Sequence, residues 1–167
     1  MSQSWIRTVR LWGAALAVAV VSASCGGPAV DLQKVLKVSD VSSGWHSDGV
    51  VGGEHKIVPS FSFKLTNDAS AALGSLQVNA VFRRVGEKEE WGTAYTSVAG
   101  ADGLAPGTTT PVLALQSSLG YTGTDPEPQM LQNHLFVDAQ VTLFAKYGSS
   151  QWTKLGEFPI KRVLLTP

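Results

Sequence analysis

The chain has 167 residues, enough for one domain with a core of its own, and 44% hydrophobic with 16% charged side chains is a globular composition. Formal net charge is zero, and beyond Cys25, once Arg7 and Arg10 are left behind, 11 basic face 13 acidic side chains, a net of −2. Phosphate binding needs clustered Lys and Arg, so this balance excludes a nucleic-acid partner.

Residues 1–24 have the three zones of a secretory signal. Arg7 and Arg10 form a positive start, Leu11 to Val21 (LWGAALAVAVV) an apolar stretch, and Ser22-Ala23-Ser24 a small-residue run before Cys25. The apolar stretch is well short of the roughly 20 residues that span a bilayer. VSASC resembles the lipobox of bacterial lipoproteins, in which the cysteine is acylated and becomes the mature N-terminus. Ala23 and Ser24 match that pattern, whereas the branched residue usual three positions before the cysteine is Ser22 here, with Val21 one place early. A single unpaired cysteine in an oxidising compartment is a liability unless it is modified. The expected organisation is a signal peptide over 1–24, lipidated Cys25 with a Gly26-Gly27-Pro28 tether over 25–30, and a folded domain over 31–167. The membrane is then the first partner, through the lipid, and the place is the bacterial cell envelope, on the outer membrane or facing the periplasm.

Beyond the tether the spacing predicts strands. Leu32–Val41 reads as a first strand whose opening also suits a helical turn, broken at Ser42-Ser43-Gly44. Trp45–Val51 is a ragged segment with a turn at Asp48-Gly49, and Gly52-Gly53 is a second turn. In His55–Asn67, Phe61, Phe63 and Leu65 alternate with Ser60, Ser62, Lys64 and Thr66, the period of a strand with one buried face. Pro59 predicts an edge or a bulge there. Leu76, Val78, Ala80 and Phe82 repeat the alternation, and the loop between, Asn67–Ser75, suits a passage from one sheet to another.

A charged turn over Gly86–Glu90 precedes a strand over Trp91–Ala99 of ambiguous phase. Gly100–Gly107 is a loop, and Pro111–Ser118 is another strand. Leu119–His134 is the longest irregular segment, with one helical turn expected within Pro128–Asn133. Leu135–Tyr147 is a strand with Val137, Ala139, Val141, Leu143, Ala145 and Tyr147 on one face, and Phe136 and Phe144 among the polar groups of the other. Gln151–Leu165 is a last strand broken by Gly156 and Pro159. About seven strands without an amphipathic helix predict an all-β fold, an immunoglobulin-like antiparallel β-sandwich.

The run from Val50 to Ala114 resembles the FxLYD-type family of immunoglobulin-like domains of bacterial envelope proteins. The residues that carry the likeness are FSFKLTN, then LQVNAVFRR, a charged turn, and Leu104-Ala105-Pro106-Gly107 leading into an apolar strand; Val81-Phe82-Arg83-Arg84 stands where that family has its aromatic-Leu-Tyr-Asp signature. The resemblance implies a sandwich fold and an envelope location, and no catalytic residue.

The candidates for chemistry are few. His46, His55 and His134 lack metal-ligand spacing, although His46 and Asp48 share a face. No GxSxG elbow surrounds Ser117 or Ser118, and Asp125, Glu127 and Asp138 are the carboxylates that glycoside chemistry would have to use. No Gly-rich phosphate loop occurs, and no cofactor is expected. The domain is therefore read as non-enzymatic, a protein-binding or structural adaptor with an envelope protein as second partner. The alternative is a carrier or sensor of a small apolar or glycan ligand on one sheet face. Trp45, Trp91 and Trp152 are expected to cap the core at its rim, their N–H groups on backbone carbonyls. The segment Leu119–His134 is the expected contact region, through Tyr121, Met130 and Leu131 with Phe136 and Phe144 beside them. Two arrangements follow from it: a lid closed over those phenylalanines, or a loop that leaves them to a partner.

Overall fold

The computed structural model describes residues 30–165, so the expected signal peptide, Cys25 and the Gly-Gly-Pro tether lie outside it. Among the described residues nine strands form two sheets, antiparallel throughout except for the last strand, which pairs in parallel with the first strand at one edge of the first sheet. One sheet has the order β5(Leu113–Gln116), β2(Glu54–Asn67), β1(Leu36–Val51), β9(Leu164–Leu165), with β6(Tyr121–Gly123) also pairing β2. The other has the order β4(Gly92–Ser97), β3(Gln77–Arg84), β7(Ala139–Lys146), β8(Thr153–Pro159). This is an immunoglobulin-like sandwich, with the β2–β3, β4–β5, β6–β7 and β8–β9 connections crossing between sheets. The two strands in excess of the expected seven, β6 and β9, are three and two residues long.

The alternation in β2 and β3 sets the core. Phe61, Phe63 and Leu65 of the first sheet meet Leu76, Val78, Ala80 and Phe82, with Val141, Leu143 and Ala145 of β7 beside them, all fully buried. Phe61 and Phe63 stack with ring centroids 5.2 Å apart. Pro59 sits where its missing N–H costs nothing. Its carbonyl accepts the Ser117 N–H at 3.0 Å, so its nitrogen faces the side on which β6 stops at Ile57 and β5 begins at Ser60. Gly120 turns the chain between those two strands. A Cβ there would lie 1.9 Å from the Ile57 carbonyl oxygen, so only glycine lets the backbones approach.

The first strand differs from expectation. Only its opening is helical, as the single turn α1(Leu32–Val35) capped by the Asp31 carboxylate, and the rest of 36–51 is one strand. The predicted break at Ser42–Gly44 does not occur, since those residues pair in register with Ser60–Ser62 and the bulge falls just before them at Asp40-Val41; the predicted turn at Asp48-Gly49 is absorbed by a second bulge between Ser47 and Val50. The turn signals were locally correct, but twelve cross-strand pairings with the apolar β2 outweigh them. The Gly52-Gly53 turn stands as expected, with φ of 64° and 90°, the left-handed pair that a two-residue hairpin needs.

Asn67 closes β2 and anchors the crossing to β3. Fully buried, it donates from Nδ2 to the carbonyls of Ala71 (3.0 Å) and Leu104 (2.7 Å), and its Oδ1 accepts the Ala69 N–H (2.9 Å). The sandwich therefore has two distinct ends. Val30, α1 and the loops 68–76, 98–112 and 147–152 lie at one; the β1–β2 hairpin, the β3–β4 turn and residues 117–138 lie at the other.

Candidate functional site

The segment 119–138 is more regular than its sequence suggests. Tyr121–Gly123 adds to the edge of β2 as β6, and the helical turn α2 runs over Glu127–Met130, one residue earlier than predicted. The chain then returns to β7, which begins at Ala139 rather than Leu135. This later start changes the role of Phe136. It precedes the strand and turns inward, while Val137, expected inside, is 37% exposed.

The segment closes as a lid over Phe136 but not over Phe144, so the expected lid over both phenylalanines is only half realised. Met130, Leu131 and Phe136, named above as contact groups, are buried in the core at 7%, 6% and 8% exposure, a correction to the expectation of an apolar loop surface. Tyr121 is half-buried. It packs with Phe136 (centroids 4.7 Å), Trp91 (4.9 Å) and Trp45 (5.7 Å), and Trp45 meets Phe136 edge-on at 4.8 Å. The Tyr121 hydroxyl donates to the Val137 carbonyl at 3.2 Å. Burial raises its pKa above the ordinary 10.0, against the opposing pull of the Arg84 charge.

Two guanidinium groups cover the cluster. Arg84 lies 5.5 Å over the Trp91 ring and pairs with Glu87 at 3.1 Å. Arg162 lies 5.1 Å over Phe136, pairs with Asp138 at 2.5 Å and donates to the Phe136 carbonyl at 2.8 Å. The expectation of a rim cap with its N–H on a backbone carbonyl fails for Trp45, while Trp91 packs half-buried against the same cluster. Trp45 is fully buried mid-strand, and its indole N–H reaches no oxygen or nitrogen acceptor. The rings packed against it offer π faces instead.

Phe144 stands apart from the other four candidates. It lies on the outer face of the second sheet, half-buried, in a row with Asn79 and Tyr95. Trp152 is close to that face, 6.3 Å from Tyr95 and under the Lys146 ammonium at 5.0 Å.

An open cleft of about 180 Å³ lies beside the lid, lined by Tyr121, Asp125, Met130, Asn133, Leu135 and Phe136 among others. Of the candidate carboxylates Asp125 alone lines it, and the others are engaged elsewhere. Asp138 is held by Arg162, Asp48 by Lys56 at 2.7 Å, and Glu127 accepts from the Ser47 hydroxyl with His55 Nδ1 4.0 Å away. Ser117 is buried with its Oγ accepting the Leu119 N–H, and His134 is exposed. Among the described residues no group of three or more His, Cys, Asp or Glu side chains is placed to hold a metal ion. Sequence reasoning missed Arg84 and Arg162, whose only signal was their position at the ends of apolar strands.

No family model and no curated protein matches the chain. Among solved structures it is similar to one described as "X-ray structure of Northeast Structural Genomics Consortium target SoR45", with 15% sequence identity, covering 77% of this chain and 88% of that one, at a TM-score of 0.38. A likeness of that size carries no argument about function.

Proposed function

We propose that this protein is a non-enzymatic lipoprotein of the bacterial cell envelope, anchored through Cys25, whose sandwich is a protein-binding or structural adaptor module. The observation that carries this reading is the series of Arg7 and Arg10, the apolar run 11–21 and VSASC, set five residues ahead of Val30. One acyl chain holds a protein to a membrane only weakly, so anchoring rests on the several chains of a lipoprotein cysteine. The FxLYD-type likeness agrees with this compartment. Its FSFKLTN and LQVNAVFRR segments form β2 and β3, the two strands that build the core from opposite sheets.

The partner-binding surface is the end that carries the lid. The exposed apolar side chains on the lid and the β3–β4 turn beside it are Val85, Leu119, Leu135 and Val137, with Leu135 74% exposed, and Val50 and Val51 of the β1–β2 hairpin are exposed at the same end; the Val85 N–H bonded to the Asp138 carbonyl ties the turn to the lid segment. The carrier alternative draws less support, because the adjoining cleft of about 180 Å³ is smaller than the roughly 300 Å³ at which small-molecule sites begin. Intact-mass analysis of the membrane-extracted protein tests the anchor. A lipid mass on the fragment that begins at Cys25, lost in Cys25→Ser, is expected, and an unmodified Cys25 refutes it. A photo-crosslinking residue at Leu135 is expected to give a discrete adduct in the native envelope that the same residue at Thr93 does not. Equal or absent adducts at both positions refute the binding role.

A further inference from the structure

We infer that the sandwich stands on its membrane with the end formed by α1 and the loops 68–76, 98–110 and 147–152 against the lipid headgroups, leaving the lid at the far end. This rests on the anchoring proposed above. The occupant of that end is the bilayer surface itself.

Chain length fixes which end is near. Five residue steps separate Cys25 from Val30, and a chain extends by at most about 3.6 Å per residue, so Val30 stays within about 18 Å of the anchor. Val30 is itself tied to the near end, its N–H donating to the Tyr147 hydroxyl at 3.0 Å. The eight residues of β3 rise by about 26 Å, so the lid end lies beyond headgroup reach when the near end is down.

Surface chemistry differs between the two ends in the sense this orientation needs. Loops 68–76, 98–110 and 147–152 are built of Ala, Ser, Gly and Thr and carry two charged side chains, Asp68 and Asp102, of which Asp68 is paired with Lys37. Asp102 is the unpaired carboxylate among them, and the Lys34–Asp31 pair beside α1 adds no net charge, so close approach to headgroups desolvates little free charge. Trp152, 39% exposed with the Lys146 ammonium over its ring, adds an amphipathic pair of the kind found at membrane interfaces. The far end carries an acidic excess: Lys56, Arg84 and Arg162 are paired with Asp48, Glu87 and Asp138, and Lys88 and Lys161 stand against Glu54, Glu89, Glu90, Asp125 and Glu127. Tilting it down would bring these carboxylates within a Debye length, about 8 Å, of an anionic leaflet.

The test uses the full lipidated chain reconstituted in phosphatidylcholine–phosphatidylglycerol vesicles. Because Cys25 is acylated, an added cysteine is the one free thiol, and a fluorophore is placed by Ser70→Cys, Ser149→Cys, Glu89→Cys or Gln132→Cys, all exposed positions. A headgroup nitroxide is expected to quench the labels at 70 and 149 several-fold more than those at 89 and 132. Equal or reversed quenching on vesicles that carry the protein through flotation overturns the orientation while leaving the anchor standing. Unquenched labels at all four positions also overturn it, and mark the near end as free for a protein. Absence of lipid mass at Cys25 overturns the anchor and the orientation together.

Discussion

Met130→Ala probes the lid directly. Met130 is 7% exposed and packs over Gly123, where a Cβ would lie 3.4 Å from its Cε. Truncation removes Cγ, Sδ and Cε from this contact. Met→Ala substitutions in cores cost about 2–5 kcal/mol, and the spread depends on how far the site collapses or refills. Met130 borders an open cleft, so water can enter the space left behind. The expected cost is therefore near the lower bound, about 2 kcal/mol, or a fall of about 8 °C in Tm for a domain of this size. Leu135→Ala, on the same segment but 74% exposed, is expected to stay within about 0.5 kcal/mol of the parent. Thermal and urea unfolding followed by circular dichroism measures both. Equal effects of the two substitutions, or a Met130→Ala change below about 0.5 kcal/mol, would refute the lid as part of the core.

Three further outcomes are expected. Phe63→Ala should cost about 3–5 kcal/mol by urea unfolding, while Ser62→Ala on the opposite face should cost less than about 0.5 kcal/mol; a similar loss from both would show the strand phase to be wrong. Asn67→Ala leaves the Ala69 N–H and the Ala71 and Leu104 carbonyls without their partner, and a midpoint shift worth about 3 kcal/mol at unchanged urea dependence is expected. Tyr121 has a raised pKa through burial, so its contribution to stability is complete below pH 10.0 and fades as pH rises past that value. Absorbance titration at 295 nm should show a late-titrating component that Tyr121→Phe removes; its survival in that variant would assign it to another tyrosine.

Much of this architecture was legible because one physical signal dominated. Period-two alternation in β2, β3 and β7 placed Phe61, Phe63, Phe82, Val141 and Leu143 inward, and all of them are buried. The misreadings have a common cause, the competition between local turn signals and long-range pairing. Ser42-Ser43-Gly44 and Asp48-Gly49 are turn-like in isolation, yet the first pairs regularly with Ser60–Ser62 and the second becomes a bulge, because β2 offers a continuous partner. Phe136 was placed on an outer face by starting the alternation of β7 four residues too early. Nothing in local sequence marks that start, which is set by pairing of Arg84 with Ala139. The lid's residues were found, but whether they faced core or solvent depended on Trp45 and Trp91 from other elements.

Packing energy decides how a partner can use the lid end. Trp45 comes from the first sheet, Trp91 from the entry to β4 in the second, and Phe136 from the approach to β7, so the lid is keyed to both sheets. Opening it would expose Met130, Leu131, Phe136 and part of Tyr121, roughly 500 Å² of apolar surface on the scale of 150–250 Å² for an aromatic ring. At about 25 cal/mol per Å² that costs about 12 kcal/mol. A whole domain is stable by about 5–15 kcal/mol, so lid opening is nearly as costly as unfolding. A partner therefore meets the lid closed. Its contacts on the lid and the β3–β4 turn are confined to the apolar groups already outside, Val85, Leu119, Leu135 and Val137, with the Arg84 and Arg162 guanidinium groups over the buried rings. Substitutions at those four positions should change binding without changing stability, whereas Met130, Leu131 and Phe136 act on stability first.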